Sequence, residues 1–207
     1  MRAIISVTTD SEIIRRSRDR PADFGELFDR HATALHRYAA RRTNPSVADD
    51  ILSETFLVAF ERRTGFDHDR DDARPWLFGI ATNLLRHHYR AEARMLAALP
   101  RAVEHDRHDG DLARSTERLD AERAVSHLAA TLKGLSPHDR DALLLYAWAN
   151  LTYDEIAEAT GVPPGTVASR LNRTRRLLRE TAATDPSSTT TSNGTSHGRP
   201  DPAPHPA

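Results

Sequence analysis

Apolar residues recur at helical spacing in separate blocks along this chain. Phe24, Leu27, Phe28, His31, Leu35 and Tyr38 make one stripe, on a helix expected to begin near Pro21. Asn44-Pro45 breaks it. A second helix is expected from Ser46, capped by its hydroxyl with Asp49 three residues on, to about Arg63. Its apolar positions, from Val47 through Ile51, Leu52, Phe56, Leu57 and Val58 to Phe60, occupy more than one face. A small domain covers one of these faces, so the rest is expected to meet a partner. A third helix opens at Pro75, where the missing N–H costs nothing. It carries Trp76, Leu77, Ile80 and Leu84 and then turns basic and aromatic through Arg86, His87, His88, Tyr89, Arg90 and Arg94.

The pattern lapses from Pro100 to about Leu119, where charges of both signs mix with few large apolar residues. It returns with Leu119, Val125, Leu128 and Leu132 and stops at Gly134. Ser136-Pro137 opens a further helix with Leu143, Leu144 and Ala147 at core spacing. Thr152-Tyr153-Asp154-Glu155 is a capping-box pattern, and Gly161 is a helix stop. A last helix is expected over 164–181. The expected class is all-α, with two small helical domains. Residues 1–20 read as a loose leader, 21–97 as the first domain, 98–118 as a flexible linker, 119–182 as the second domain and 183–207 as a disordered tail. The tail holds no Leu, Ile, Val or Phe beyond Thr184, so it buries too little surface to offset its ordering entropy.

Composition narrows the function. Hydrophobic residues make up 38% and charged residues 29%, which suits small helical units. The absence of cysteine rules out disulfides and thiolate metal sites. The start, Met1 to Val7, is a poor signal peptide, and the apolar run from Ala142 to Ala149 is far short of the roughly 20 residues that span a bilayer. A soluble cytoplasmic protein without a membrane role is expected. The formal net charge of -1 hides an uneven distribution. Five arginines (170, 173, 175, 176 and 179) stand against one acid between Gly165 and Glu180, while Asp49, Asp50 and Glu54 cluster on an acidic segment. Two partners of different chemistry would suit that split.

The segment from Thr152 to Arg179 reads as a helix-turn-helix. Ile156, Ala157, Val162, Val167 and Leu171 supply a small core that fixes the crossing angle. With Val167 and Leu171 inside, Thr166, Ser169, Arg170 and Arg173 project outward from the half of the helix that enters a major groove. Arg175, Arg176 and Arg179 lie further along, at phosphate-contacting positions. Between Ala73 and Arg94, Asn83, Arg86, His87 and Arg90 are candidates for single-stranded DNA, while Trp76 reads as core. His87 and His88 are adjacent, so their rings point apart and make a poor metal pair. His105 and His108 lie in the linker without four rigid ligands. No phosphate-binding glycine loop or nucleophilic triad stands out, and no cofactor or small-molecule substrate is implied.

The whole order resembles the extracytoplasmic-function (ECF) sigma factors of bacterial RNA polymerase. Phe24-x-x-Leu27-Phe28, Ala48-Asp49-Asp50-Ile51, Glu54-Thr55-Phe56 and Pro75-Trp76-Leu77-Phe78-x-Ile80-Ala81-x-Asn83 look like sigma region 2. Leu135-Ser136-Pro137, Tyr153-x-Glu155-Ile156-Ala157 and Gly161-Val162-Pro163-x-Gly165-Thr166-Val167-x-Ser169-Arg170-Leu171 look like region 4. The resemblance implies that Asp49, Asp50, Ile51, Glu54, Thr55 and Phe56 dock on core polymerase. It implies that the loop from Arg62 to Arg74 and the helix after it, with Asn83, Arg86, His87 and Arg90, capture the single-stranded -10 element. It implies that Thr166, Ser169, Arg170, Arg173 and Arg176 read the -35 element as duplex, that an anti-sigma factor is a partner, and that the chain itself catalyses nothing. Three departures stand out. Ser53 replaces the Gln common before Glu-Thr-Phe, Ala168 replaces a common Lys or Arg, and the tail lacks the folded extension of some relatives. A helix-turn-helix regulator that acts without polymerase is the alternative, and the acidic-apolar helix at Ser46–Arg63 discriminates between the two. A metal-dependent hydrolase using the 11 histidines is the enzymatic alternative, which stoichiometric zinc in the purified protein would revive.

Overall fold

The computed structural model describes residues 8–98, 131–132 and 134–183. The expected linker and tail therefore lie outside the described residues, apart from Ala98 at the end of one helix and Ala183 at the end of another, and so does most of the helix expected from Leu119. Seven α-helices lie among the described residues: α1 Asp10–Arg16, α2 Gly25–Ala40, α3 Pro45–Arg62, α4 Arg74–Ala98, α5 Pro137–Trp148, α6 Tyr153–Thr160 and α7 Pro164–Ala183. Short 3-10 turns at Pro21–Phe24 and Arg63–Gly65 lead into α2 and out of α3. No strand occurs among them.

The leader expectation is corrected in part. Residues 10–16 form α1, started by a capping box between Thr9 and Glu12. Ile13 and Ile14 are fully buried. The helix is held by contacts distant in sequence, which local patterning does not display: Arg30 donates to the Thr8 carbonyl at 2.8 Å, and Ser11 meets His68 at 3.0 Å. The start of α3 is also corrected. Asn44, not Ser46, is its cap, accepting from the Val47 N–H at 3.0 Å, and Pro45 takes the first helical position. The Asn-Pro pair both ends one helix and begins the next.

Helices α1 to α4 form an N-terminal lobe. Leu27, Leu35 and Tyr38 of α2 pack with Ile51, Phe56 and Ala59 of α3 and with Leu77, Phe78 and Leu85 of α4 in one buried cluster. Tyr38 meets the Phe78 ring edge-on at 5.2 Å and shares a hydrogen bond of 2.9 Å with Thr82, which satisfies its buried hydroxyl. Helices α5 to α7 form a C-terminal lobe around Leu144, Leu145, Leu151, Ile156, Val167 and Leu171. Ser136 caps α5, and Thr152 with Glu155 closes a full capping box on α6, as the sequence implies. The two lobes touch, with α6 packed on both α4 and α7.

Candidate polymerase and DNA interfaces

Three surfaces carry the residues singled out by sequence. The first is formed by α2 and α3. Asp49, Asp50 and Glu54 are exposed along α3. Ile51, Thr55 and Phe56 are buried, and Thr55 donates its hydroxyl back to the Ile51 carbonyl at 2.6 Å. Those three therefore support the surface from beneath and do not themselves present it. The exposed apolar area here comes from Leu57 at 57% exposure and Phe28 at 43%, the latter tilted against the Phe56 ring at 4.8 Å. Leu57 and Phe28 were visible as apolar positions, but their outward face emerges only once α2 and α3 are docked. His36 pairs with Asp49 at 3.1 Å on the rim.

The second surface is the basic half of α4. Asn83, His87 and Arg90 are exposed, and their spacing of four and three places them on one helical face. Arg86 is different. Its guanidinium donates to the carboxylate of Asp141 on α5. The loop leading to α4 has an unexpected character for a DNA contact: Asp67, Asp69, Asp71 and Asp72 gather there with Glu155 and Glu158 of α6. Burial pushes the Glu158 carboxyl up, and Arg70, paired with it at 2.7 Å, opposes that shift. Phe66 in this loop is buried and meets the Trp76 ring at 5.1 Å, while Trp76 itself is half-buried and packs against the edge of the core.

The third surface is the outer side of α7. Ser169, Arg173 and Arg176 line one open groove with Asn172, Arg179 and Glu180. Gly161 stands at φ 66°, the left-handed conformation that the turn before α7 requires, and Val167 and Leu171 are fully buried beneath it. Thr166 and Arg170 are half-buried and do not line this groove, and Nη1 of Arg170 is buried with no hydrogen-bond partner among the described residues. Arg173 also reaches Asp139 of α5 at 3.1 Å. Arg175 turns inward instead of toward a phosphate. Its hydrogen bond to the Tyr153 hydroxyl, 2.8 Å, raises its already high pKa, and its guanidinium lies 5.1 Å over the Tyr146 ring.

Asp10, His31 and Asp72 bring ligand-type atoms within 4.8 Å of one another. Asp10 accepts from Arg30 at 2.9 Å and from the Ala73 N–H at 3.0 Å and pairs with His31 at 2.7 Å. Its oxygens are occupied by protein donors, and the cluster is a structural tie between α1, α2 and α4.

Comparison with known proteins agrees with the two-lobe division. Residues 27–95 match the family described as Sigma-70 region 2, and residues 127–178 match Sigma-70, region 4. The ECF RNA polymerase sigma factor SigL of Mycobacterium tuberculosis is 31% identical over 157 residues, 75% of this chain and 86% of that protein. SigE of Mycolicibacterium smegmatis, another ECF sigma factor, is 33% identical over 166 residues; the match takes in 79% of this chain and 63% of SigE's own length. Among solved structures, CnrH in complex with the cytosolic domain of CnrY superposes with a TM-score of 0.59 at 26% identity, over 85% of this chain and 98% of that one. Together these define a transcription initiation subunit of the sigma-70 class. The chain belongs to the ECF RNA polymerase sigma factors within it.

Proposed function

We propose that the chain lends promoter specificity to core RNA polymerase by using its three surfaces at once. The exposed acids of α3 with Leu57 and Phe28 dock on the polymerase. Asn83, His87, Arg90 and, when freed, Arg86 hold the single-stranded -10 element. Ser169, Arg173 and Arg176, with the half-buried Thr166 and Arg170 on the same helix, read the -35 duplex. The chain performs no chemistry itself and works in the cytoplasm, where polymerase and chromosome meet. An anti-sigma factor is a fitting further partner, in line with CnrH, which is solved in complex with the cytosolic domain of another protein, CnrY.

The observation that carries this reading is the α2–α3 face. An exposed Leu and Phe rimmed by three acids has no use in a DNA regulator acting alone, but it suits a protein partner. Core polymerase should co-purify with the wild-type chain and not with Asp50→Arg, while the circular dichroism of the variant stays unchanged. Equal co-purification of both would remove α3 from the docking surface.

A further inference from the structure

The loop between α3 and α4 is tied by its backbone to the N-terminal helix at Thr64, His68, Asp71 and Ala73. Arg18, just beyond α1, donates to the Thr64 carbonyl at 3.0 Å, and the Ser11 hydroxyl donates to the His68 carbonyl at 3.3 Å. The Asp10 N–H donates to the Asp71 carbonyl at 3.0 Å, and the Ala73 N–H donates to the Asp10 carboxylate at 3.0 Å. His68 is clasped by its ring as well. Its Nε2 lies 2.8 Å from the Arg18 guanidinium and its Nδ1 3.0 Å from the Ser11 hydroxyl. A guanidinium only donates, so Nε2 accepts and the network assigns the proton to Nδ1, which donates to Ser11. Burial and the charges of Arg18 and Arg15 hold the imidazole below its ordinary pKa, against the opposing pull of Asp67, and so favour this neutral form.

The packing of α1 does not account for this clasp. Ile13 and Ile14 anchor the helix in the core, and Asp10 fixes it to Arg30 and His31 of α2. Ser11 and Arg18 reach the loop instead. The loop's own backbone bonds are long, 3.4 Å from the Phe66 N–H to the Arg63 carbonyl and 3.2 Å from the Arg70 N–H to the Asp67 carbonyl. Its shape therefore depends on what it is tied to. The order passes onward from His68, whose ring lies 5.5 Å from that of Phe66, which in turn meets Trp76 of α4. The loop also exposes Asp67, Asp69, Asp71 and Asp72, which repel a phosphate backbone wherever they swing toward it. A loop fixed in advance avoids that repulsion and loses less freedom when a strand arrives.

We propose that α1 and Arg18 preset this loop for the -10 strand, which makes Ser11, Arg18 and His68 positioning residues for -10 discrimination. They act through the place of the loop at the entry to α4, whose exposed Asn83, His87 and Arg90 take the strand. The proposal rests on the -10 reading given above; the clasp itself does not.

Arg18→Ala removes an exposed side chain and leaves the core alone, and Ser11→Ala cuts the other bond to the imidazole with a residue that suits a helix. In the full-length chain, amide exchange over residues 63–73 should speed up in both, by about tenfold in Arg18→Ala, the scale of one hydrogen bond from a charged donor, while α3 and α5 keep their rates. Each form then directs core polymerase on a pool of templates built from one promoter that the wild-type chain uses, randomised through the -10 element. The ratio of transcripts from preferred to average -10 sequences should fall by about tenfold in Arg18→Ala. Core affinity and the cost of a scrambled -35 element should stay as in wild type, which a general loss of stability would not allow. Unchanged exchange in both variants would show that α1 does not hold the loop. Faster exchange with an unchanged ratio would show that the clasp does not serve discrimination, and an equal loss from all sequences would make Arg18 a plain phosphate contact. If no form started RNA at defined positions, the functional reading would fail and the -10 role with it, while exchange would still decide the clasp.

Discussion

Asp10 shows how much one side chain can organise. It joins α1 to Arg30 and His31 of α2 and, through the Ala73 N–H, to the residue just before α4. Burial alone would raise its carboxyl, but the bonds to His31 and Ala73 and the proximity of Arg30 outweigh that and hold it below the ordinary carboxylate range. A lowered folded-state pKa stabilises above the unfolded value, about 3.9, and the contribution disappears as pH falls through the folded value. Asp10→Asn should therefore cost about 1–3 kcal/mol near neutral pH in urea unfolding, and the gap to wild type should narrow below about pH 4. A gap that stays constant down to pH 3 would contradict the assignment. None of this was legible in the sequence, because Asp10 meets its partners only after α1, α2 and the start of α4 have come together. The residues proposed to read DNA fared unevenly for the same reason. Ser169, Arg173 and Arg176 follow from helical spacing alone, whereas the inward turn of Arg175 onto Tyr146 and Tyr153 depends on where α5 and α6 lie. Arg176, exposed on α7 and paired loosely with Glu180 at 3.7 Å, fits a phosphate contact. Arg176→Ala should weaken binding to all duplexes alike and lower the salt slope of the affinity by about 1. A loss confined to one promoter sequence would make it a base reader instead.

At the scale of the element, the helix-turn-helix was the most readable part of the chain. Its signals are local: the Thr152–Glu155 capping box, Gly161 at the turn, and Val167 and Leu171 one helical turn apart. Gly161→Ala forces a side chain into the left-handed region and should cost about 1–2 kcal/mol of the C-terminal lobe's stability. Thermal unfolding of the full chain would register this, and an unaltered transition would mean that the turn rearranges freely. Helix α1 was missed because it is short and offers only Ile13 and Ile14 as apolar anchors. Helix α3 was read correctly as apolar on more than one face, but which face remains open was not readable. Docking against α2 and α4 buries Ile51, Thr55 and Phe56 and leaves Leu57 with the acids outside. Leu57→Asp, which removes exposed apolar area and disturbs no core contact, should weaken polymerase binding by at least tenfold with the melting temperature unchanged. Full binding by this variant would move the docking surface elsewhere.

For the whole molecule, the order of two lobes was evident from sequence, but their contact was not. Asp141 looks like an ordinary early-helix acid until Arg42 and Arg86 arrive from the other lobe. The assembled protein presents three surfaces, the acidic and apolar face of α3 and the basic faces of α4 and α7, on lobes that touch. Its central claim is that specificity is conferred on a catalyst outside this chain. Transcription in vitro with purified core polymerase on fragments of the source genome tests it most directly. With the chain added, RNA should start at defined positions that core alone does not use, and Asp50→Arg should abolish those starts. Identical transcripts with and without the chain would contradict the account.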